Sequence, residues 1–263
     1  MDSRYFDEPT PRILGHRGAA GLAPENTLVS FEKALEVTQY IETDAWLTKD
    51  CVPVFFHDES ALRTCGVDKK VSELSFAEIQ ELDAAATFKD ELGELSFAGK
   101  GLKVPSVESV FQELGSKAFF NIEIKDPNPD AVQALWKHAE TAKITDKILL
   151  AAENDEIMAR IRETLPNVPT SASYGEVFQF LQMMLEGNLS DYSSPAVAFQ
   201  IPDSYQGQDL GGADIIEAIN AVGKEVHYWT INDKERMKEL VEAGADGIVT
   251  DFPNRAQGFA PST

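Results

Sequence analysis

The sequence predicts an α/β protein built as a (β/α)8 TIM barrel, with a β-hairpin and a small cap insertion after the second strand. Short apolar or β-branched runs alternate with amphipathic segments, and eight such runs occur along the 263 residues. Alternating strands and helices indicate a parallel sheet, and eight units in about 250 residues are typical of one closed barrel. We therefore expect a single domain over residues 1–263.

The predicted strands are short and rich in β-branched, apolar and aromatic residues. They occupy residues 12–15, 40–46, 119–125, 147–151, 168–173, 196–200, 225–231 and 246–250. Helical periodicity lies between them, at residues 25–38, 129–142, 155–165, 176–186, 214–222 and 233–243. Prolines and glycines after the eighth strand predict a short or frayed last helix over 252–263.

A ninth strand-like run, residues 52–57, follows the second strand after only a few residues. A parallel crossover needs about a dozen residues or more, so this run must fold back antiparallel as a hairpin. A turn near residue 50 then places His57 within side-chain reach of Glu42 and Asp44.

Residues 58–103 are rich in charge and glycine and contain no run that matches a barrel strand. We interpret them as an insertion that caps the barrel mouth, where loops carry function. The interrupted unit resumes with a helix over about 106–114, for which Ser106 is a suitable cap. Because the candidate catalytic residues lie outside the insertion, we expect it to govern substrate choice and not chemistry.

The charge balance excludes several classes of partner. The chain has 23 Lys and Arg against 44 Asp and Glu, which gives a formal net charge of −21. Such a field repels nucleic acids and anionic lipids, so we expect no nucleic-acid partner. An anionic small molecule binds only where a local cation or metal ion reverses the field.

The sequence contains neither a secretory signal nor an apolar run of about 18 residues. We therefore expect a cytoplasmic protein with no integral membrane segment. Cys51 and Cys65 are too few for a disulfide framework and have no histidine at ligand spacing, so we expect free thiols. The oligomeric state stays open.

Three acidic residues are predicted to face the lumen near the carboxyl ends of two strands. Residues two apart on a strand share a face, which pairs Glu42 with Asp44, and Glu123 with Lys125. Buried carboxylates need compensation, and an all-oxygen set suits one hard divalent cation, Mg²⁺ or Ca²⁺. An internal salt-bridge network with Lys125 and Arg17 explains the same pattern, and the two interpretations stay open here.

Two of the four histidines are predicted to lie at the barrel mouth. His16 ends the first strand and His57 ends the hairpin, so they flank the acidic cluster. Imidazoles gain and release protons near neutral pH, which suits a general base and a general acid. We expect His138 to be a surface residue and His227 to be a hydrogen-bonded core residue. Trp229 lies at the mouth end of its strand, where it either walls a substrate pocket or packs in the core.

Several short motifs occur in a fixed order from about residue 13 to 253. They are His16-Arg17-Gly18, Pro24-Glu25-Asn26-Thr27, Glu42-Thr43-Asp44, Thr48-Lys49-Asp50, Pro53-Val54, His57-Asp58, Asn121-Ile122-Glu123-Ile124-Lys125, Trp229-Thr230-Ile231-Asn232, and Gly247-Ile248-Val249-Thr250-Asp251 followed by Pro253. Together they resemble the signature elements of the glycerophosphodiester phosphodiesterase family. Their number and order make the match more specific than any single motif.

The resemblance implies a barrel enzyme that hydrolyses a glycerophosphodiester to sn-glycerol 3-phosphate and an alcohol. It also implies site roles: metal ligands at Glu42, Asp44 and Glu123, an acid/base pair at His16 and His57, and phosphate contacts at Arg17 and Lys125. The attacking group is either the glycerol 2-hydroxyl, through a cyclic phosphate, or water. The chain departs from the family pattern at Cys51, in place of a usual glycine, and at Trp46, which bears on substrate preference.

Two alternative functions stay open from the sequence. A lysophospholipase D type enzyme would need an apolar groove for an acyl chain, which phenylalanines and methionines of the chain are able to supply. A non-catalytic phosphodiester-binding module would need no acid/base pair, so the intact histidines argue against it.

Overall fold

A curled sheet of seven parallel strands forms the centre of the computed structural model, which describes residues 3–259. The strands of the chain are β1 (Arg12–Gly15), β2 (Tyr40–Leu47), β3 (Pro53–Phe55), β4 (Phe119–Ile124), β5 (Ile148–Ala151), β6 (Ala198–Pro202), β7 (Ser204–Tyr205), β8 (Gln208–Asp209), β9 (Glu225–Trp229) and β10 (Gly247–Thr250). The parallel strands follow the order β5-β4-β2-β1-β10-β9-β6. The predicted α/β class with a parallel sheet is confirmed.

The strand predicted over residues 168–173 is wrong as a continuous strand. This segment forms only two isolated parallel bridges, Leu150 with Thr170 and Ser171 with Ala198. Those bridges nevertheless connect it to both edge strands, β5 and β6. Pro169 has no N–H to donate, so regular strand pairing does not extend to the start of this segment. The short hairpin of β7 and β8 is a further feature that the sequence pattern did not predict.

The helices lie in the connections between the strands. They are α1 (Leu28–Leu35), α2 (Leu62–Cys65), α3 (Phe76–Ile79), α4 (Val107–Leu114), α5 (Ala131–Ala142), α6 (Asp155–Thr164), α7 (Tyr174–Glu186), α8 (Ala213–Ala221) and α9 (Lys234–Glu242). The first is shorter than predicted because the Thr27 hydroxyl caps it, accepting from the N–H of Ser30. Between β10 and residue 259 the helical structure is limited to a 3₁₀ turn, Pro253–Ala256, and residues 260–263 of the predicted last helix lie outside the described residues. Within residues 3–259, no helix combines the length and apolar character needed to cross a membrane.

β3 pairs antiparallel with β2 in a hairpin. Ala45 lies opposite Phe55, and the N–H of Phe56 donates to the carbonyl of Asp44 at 2.9 Å. This register directs the chain after β3 back along β2, away from the carboxyl end of that strand. Cys51 occupies the turn with φ of 59°, a left-handed conformation that glycine adopts most easily. The residue that replaces the family's usual glycine therefore stands where the backbone turns.

Residues 58–103, all described by the structure, contain α2, α3 and a 3₁₀ turn but no strand of the parallel sheet. Their apolar side chains form a separate cluster with Val54 and Phe56 from the hairpin. Ala61 and Cys65 from the region of α2 are both buried in this cluster. The insertion is therefore packed onto the hairpin, which positions its charged residues relative to the sheet.

Candidate active site

The candidate residues converge at the carboxyl end of the sheet because β1, β2 and β4 are neighbours. Glu42 lies opposite Asn121, and Asp44 lies opposite Glu123 in the parallel register. Both β2 carboxylates are buried, with Asp44 only 1% exposed. The alternation of each strand thus places three carboxylates on the same side of two neighbouring strands.

Glu42 contacts the residues that follow β1. Its Oε2 accepts a hydrogen bond of 3.0 Å from the backbone N–H of Arg17, and lies 3.9 Å from Nε2 of His16. Arg17 adopts a φ of 51°, which turns the chain just after the strand. Burial, reinforced by the negative charge of Asp44, raises the pKa of Glu42 to about 7. This carboxyl group therefore sits in an unfavourable place for a negative charge.

Asp44 is surrounded by donors from three segments. Asn26 donates to its Oδ2 at 3.2 Å, while Arg17 Nε and Lys125 Nζ lie 3.5 Å from its two oxygens. Asn26 is fixed in turn because its Oδ1 accepts a 2.7 Å hydrogen bond from the Thr43 hydroxyl. Cations and an amide thus offset the charge of a carboxylate that has almost no access to water.

Glu123 forms its closest ion pair with Lys125, whose Nζ lies 2.9 Å from Oε2. Burial raises the pKa of Glu123, although the ammonium of Lys125 opposes this shift. Burial would lower the pKa of Lys125, but Asp44 and Glu123 together raise it above its ordinary value. The ammonium therefore remains charged beside the two carboxylates.

His16 is held by a carboxylate from the far end of the chain. Its Nδ1 lies 2.6 Å from Oδ1 of Asp251, and the other oxygen of Asp251 accepts a 2.7 Å hydrogen bond from Asn232. Burial opposes both charges, yet their contact raises the pKa of His16 and lowers that of Asp251. Sequence reasoning missed this partner, although Asp251 directly follows the eighth predicted strand and is the last residue of the motif at 247–251.

His57 has an equivalent partner in the next residue. Its Nδ1 lies 2.6 Å from Oδ1 of Asp58, and its carbonyl accepts from the indole N–H of Trp46 at 2.9 Å. A small cavity beside the imidazole is lined by Glu25, Asn26 and Thr64 among others. Among the described residues, no hydrogen bond or ion pair joins His57 to the three carboxylates.

Among the described residues, no hydrogen bond or ion pair joins the remaining candidates, Trp229, His227 and His138, to the three carboxylates. Trp229 ends β9 and is 43% exposed, so it is not a core residue. His227 is fully buried, with Nε2 3.0 Å from Glu225 and Nδ1 3.3 Å from the amide of Gln200. His138 is half-buried on α5. Cys51 and Cys65 are free thiols.

The donor set of the cluster suits a hard cation. Three carboxylates supply oxygen ligands, and burial together with the negative charge of Asp44 raises the pKa of Glu42. Asn121 adds a buried Oδ1 that has no hydrogen-bond partner. Within residues 3–259, however, no three His, Cys, Asp or Glu side chains converge closely enough to hold an ion, and Arg17 and Lys125 contact the carboxylates. The salt-bridge network left open by the sequence is therefore present, and metal binding stays a prediction.

Comparison with known proteins decides the family. The sequence model of the Glycerophosphoryl diester phosphodiesterase family matches residues 16–255, nearly the whole chain. The chain belongs to this family. A glycerophosphodiester phosphodiesterase of Caldanaerobacter subterraneus subsp. tengcongensis is 29% identical, with 92% of this chain and 94% of that relative aligned. The prediction of a phosphoric diester hydrolase is confirmed, and the non-catalytic binding module is set aside.

Two further relatives describe the range of the family. The human lysophospholipase D GDPD1 is 23% identical over 94% of this chain and 85% of its own length. An Oleispira antarctica phosphodiesterase, solved in complex with the product sn-glycerol-3-phosphate, superposes with a TM-score of 0.76. It is 23% identical, and the alignment covers 96% of this chain and 98% of that chain. At this identity the likeness shows the shared fold alone.

Proposed function

We propose that this enzyme hydrolyses glycerophosphodiesters to sn-glycerol 3-phosphate and an alcohol, with His16 and His57 as its acid–base pair and one divalent cation as cofactor. The observation that carries the proposal is that each imidazole has its Nδ1 2.6 Å from a carboxylate. A carboxylate accepts the Nδ1 proton, so Nε2 of each ring is left to accept or release a proton. The acidic cluster lies beside His16.

The proposed chemistry needs two proton transfers. One histidine deprotonates the attacking oxygen, while the other protonates the leaving alkoxide. If the glycerol 2-hydroxyl attacks, a cyclic phosphate forms and water then opens it, with the two histidines exchanging roles. If water attacks, sn-glycerol 3-phosphate forms in one step. A time course of the products separates these routes, because only the first releases or accumulates a cyclic phosphate.

Arg17 and Lys125 are the proposed phosphate contacts. Both lie at the carboxyl end of the sheet and both retain donors beyond their ion pairs. The protein carries a net charge of −21, so an anionic substrate requires this local positive charge. Stabilisation of the charge that develops on the phosphoryl oxygens is usually the largest catalytic contribution.

Glu42, Asp44 and Glu123 are the residues that would hold the cation. When bound, Mg²⁺ or Ca²⁺ would supply positive charge that stabilises the phosphoryl oxygens. The support for this assignment is the pair of buried carboxylates on β2 and the half-buried Glu123 on the adjacent strand β4, together with the raised pKa of Glu42. Activity measured with Mg²⁺, with Ca²⁺ and after removal of free cations by EDTA identifies the ion.

We further propose that the fold is a (β/α)8 barrel in one domain, with residues 58–103 as a cap at its mouth. The bridges of Thr170 and Ser171 to both edge strands and the packing of the insertion on the hairpin support this architecture. Trp229 would wall the pocket, since it ends β9 and is partly exposed. The expected cytoplasmic location stays a prediction from the sequence.

A lysophospholipase D activity is the second candidate. Tyr174 begins α7, Tyr205 ends β7 and Trp229 ends β9, and each is exposed over more than two fifths of its surface. These three side chains offer apolar area to an acyl chain. Comparing turnover of glycerophosphocholine with that of a lysophosphatidylcholine separates the two candidates. Preference for the water-soluble diester supports the first proposal, and preference for the lysophospholipid overturns it.

A further inference from the structure

Arg63, in the insertion, contacts two carboxylates that belong to different parts of the site. Its Nε and Nη2 donate to Asp58 at 2.6 and 3.1 Å, and its Nη1 and Nη2 donate to Glu25, each at 2.6 Å. The planar guanidinium group therefore donates two hydrogen bonds to each of the two carboxylates. Glu25 precedes α1 and Asp58 follows the hairpin, so this one side chain connects two segments of the site.

Each of these carboxylates has a second partner among the proposed catalytic groups. Asp58 lies 2.6 Å from Nδ1 of His57, and Glu25 accepts a 3.0 Å hydrogen bond from Arg17. Burial opposes the charge of Asp58, but hydrogen bonds from Arg63 and His57 hold the pKa of this carboxyl below its ordinary value. Asp58 is thus kept as an acceptor for the imidazole.

The backbone around Arg63 is anchored. Ala61 and Cys65, on either side of it, are buried in the cluster that the insertion forms with the hairpin. The hydroxyl of Thr87 donates to the carbonyls of Arg63 and Thr64. The Arg63 side chain is 48% exposed, whereas its partner Glu25 is only 17% exposed. Glu25, the less exposed partner on the barrel side, therefore restrains the Arg63 side chain, which would otherwise move freely in water.

We infer that Arg63 is a positioning residue for the hydrolysis: anchored on Glu25, it fixes the carboxylate of Asp58 and thereby the orientation of the His57 imidazole. This inference rests on the proposed role of His57 in acid–base catalysis. It revises the expectation that the insertion contributes nothing to the chemistry, because the residue that aligns one histidine belongs to it. Small displacements of a proton-transfer group are costly, since proton transfer needs a short and directed contact.

The test compares Arg63→Met with Lys70→Met as a matched control. Lys70 lies in the same insertion and its ammonium pairs with the exposed Glu59, 2.7 Å away, so this variant makes the same change of charge away from the site. We expect Arg63→Met to lower kcat at least about tenfold, with little change in KM. Lys70→Met is expected to retain kcat. Arg63→Lys keeps the charge but loses the fork, so its kcat is expected to lie between those of Arg63→Met and wild type.

A double-mutant cycle with His57→Ala separates positioning from direct contact with the substrate. Once the imidazole is absent, adding Arg63→Met is expected to change kcat by about twofold or less. An undiminished effect of Arg63→Met in the His57→Ala background, or a rise in KM in place of the fall in kcat, would overturn the inference. Thermal unfolding of every variant shows whether the loss of kcat arises from unfolding. If Arg63→Met is unfolded, Arg63→Lys alone is compared with wild type.

The two proposals fail in different ways. If His57→Ala retains normal kcat, the acid–base role of His57 is wrong, whatever Arg63 does. If His57→Ala is strongly impaired while Arg63→Met turns over like wild type, the role of His57 stands and only the inference about Arg63 is wrong.

Discussion

Nδ1 of His16 lies 2.6 Å from Oδ1 of Asp251, although 235 residues separate them in the chain. The contact forms because β1 pairs with β10, so the residues that follow the two strands are neighbours. Asn232 donates to the other oxygen of Asp251 and restrains the carboxylate. His57 has the same arrangement with its sequence neighbour Asp58. Both imidazoles are therefore oriented through Nδ1.

Replacing Asp251 by Asn tests this orientation. An amide is able to donate to Nδ1, which favours the tautomer that carries its proton on Nε2 and removes the accepting nitrogen from the site. We expect Asp251→Asn to lower kcat at least about tenfold with a smaller change in KM. Steady-state kinetics measure the loss, and ¹⁵N shifts of the His16 ring report the tautomer.

Asp246→Asn is the matched control for this variant. Asp246 lies at the opposite end of β10 and accepts from the backbone N–H of Val226, so the same substitution there is remote from His16. Wild-type kcat in Asp251→Asn, with His16 still protonated on Nδ1, would show that the pair is only structural.

The four histidines are expected to divide into two catalytic and two non-catalytic residues. His16→Ala and His57→Ala should each lower kcat by about 10²-fold or more, the usual contribution of general acid–base catalysis. Because the two histidines act as one unit, kcat of the double variant should be little lower than that of the less active single variant. Kinetics together with thermal unfolding check that the folded fraction is unchanged.

The other two histidines serve as controls for that experiment. His138→Ala on α5 should match wild type in rate and stability. His227→Ala should lower the melting temperature before it lowers the intrinsic rate, because it empties a fully buried site and removes a hydrogen-bond partner from Gln200 and from Glu225, which keeps its ion pair with Arg12. A His57→Ala enzyme with normal kcat would contradict the proposed division.

Chelation is expected to abolish activity, and readdition of Mg²⁺ or Ca²⁺ to restore it. Glu123→Gln removes one proposed ligand charge, so it should raise the cation concentration for half-maximal activity and lower turnover. Glu140→Gln is the control, since Glu140 is exposed on α5, away from the three carboxylates. Full activity after exhaustive chelation would be incompatible with a cation cofactor.

The raised pKa of Glu42 predicts how stability depends on pH without a cation. Its folded-state pKa of about 7 exceeds the ordinary 4.5, so the native state binds the proton more tightly than the unfolded chain. The free energy of unfolding therefore falls as pH rises from about 4.5 to about 7, by at most about 3 kcal/mol. Glu42→Gln does not titrate and should escape this loss.

The measurement compares melting temperatures of wild type and Glu42→Gln in EDTA. The variant should gain relative to wild type between about pH 5 and about pH 8, because only wild type bears the cost of ionising the buried group. A saturating divalent cation should reverse the ranking at the higher pH, since it binds only wild type well. If the melting temperatures of wild type and Glu42→Gln differ by the same amount at about pH 5 and at about pH 8, the ionisation of Glu42 costs no stability.

The sequence by itself determined the order of the seven parallel strands, of α1 and of α4 to α9, and it placed the three carboxylates on neighbouring strands. These features follow from local rules: alternation along a strand, helical periodicity, and a connection before β3 too short for a parallel crossover. Grouping Glu42, Asp44 and Glu123 requires only that the strands that carry them are neighbours. Motif order was enough to identify the family, since it does not depend on packing.

Only the tertiary structure decided which charges meet. The pairing of His16 with Asp251 depends on closing β1 against β10, and the bridge from Asp58 through Arg63 to Glu25 depends on how the insertion packs on the hairpin. Local periodicity carries no information about such contacts, because their geometry is set by side-chain rotamers and by segments that lie far apart in the chain.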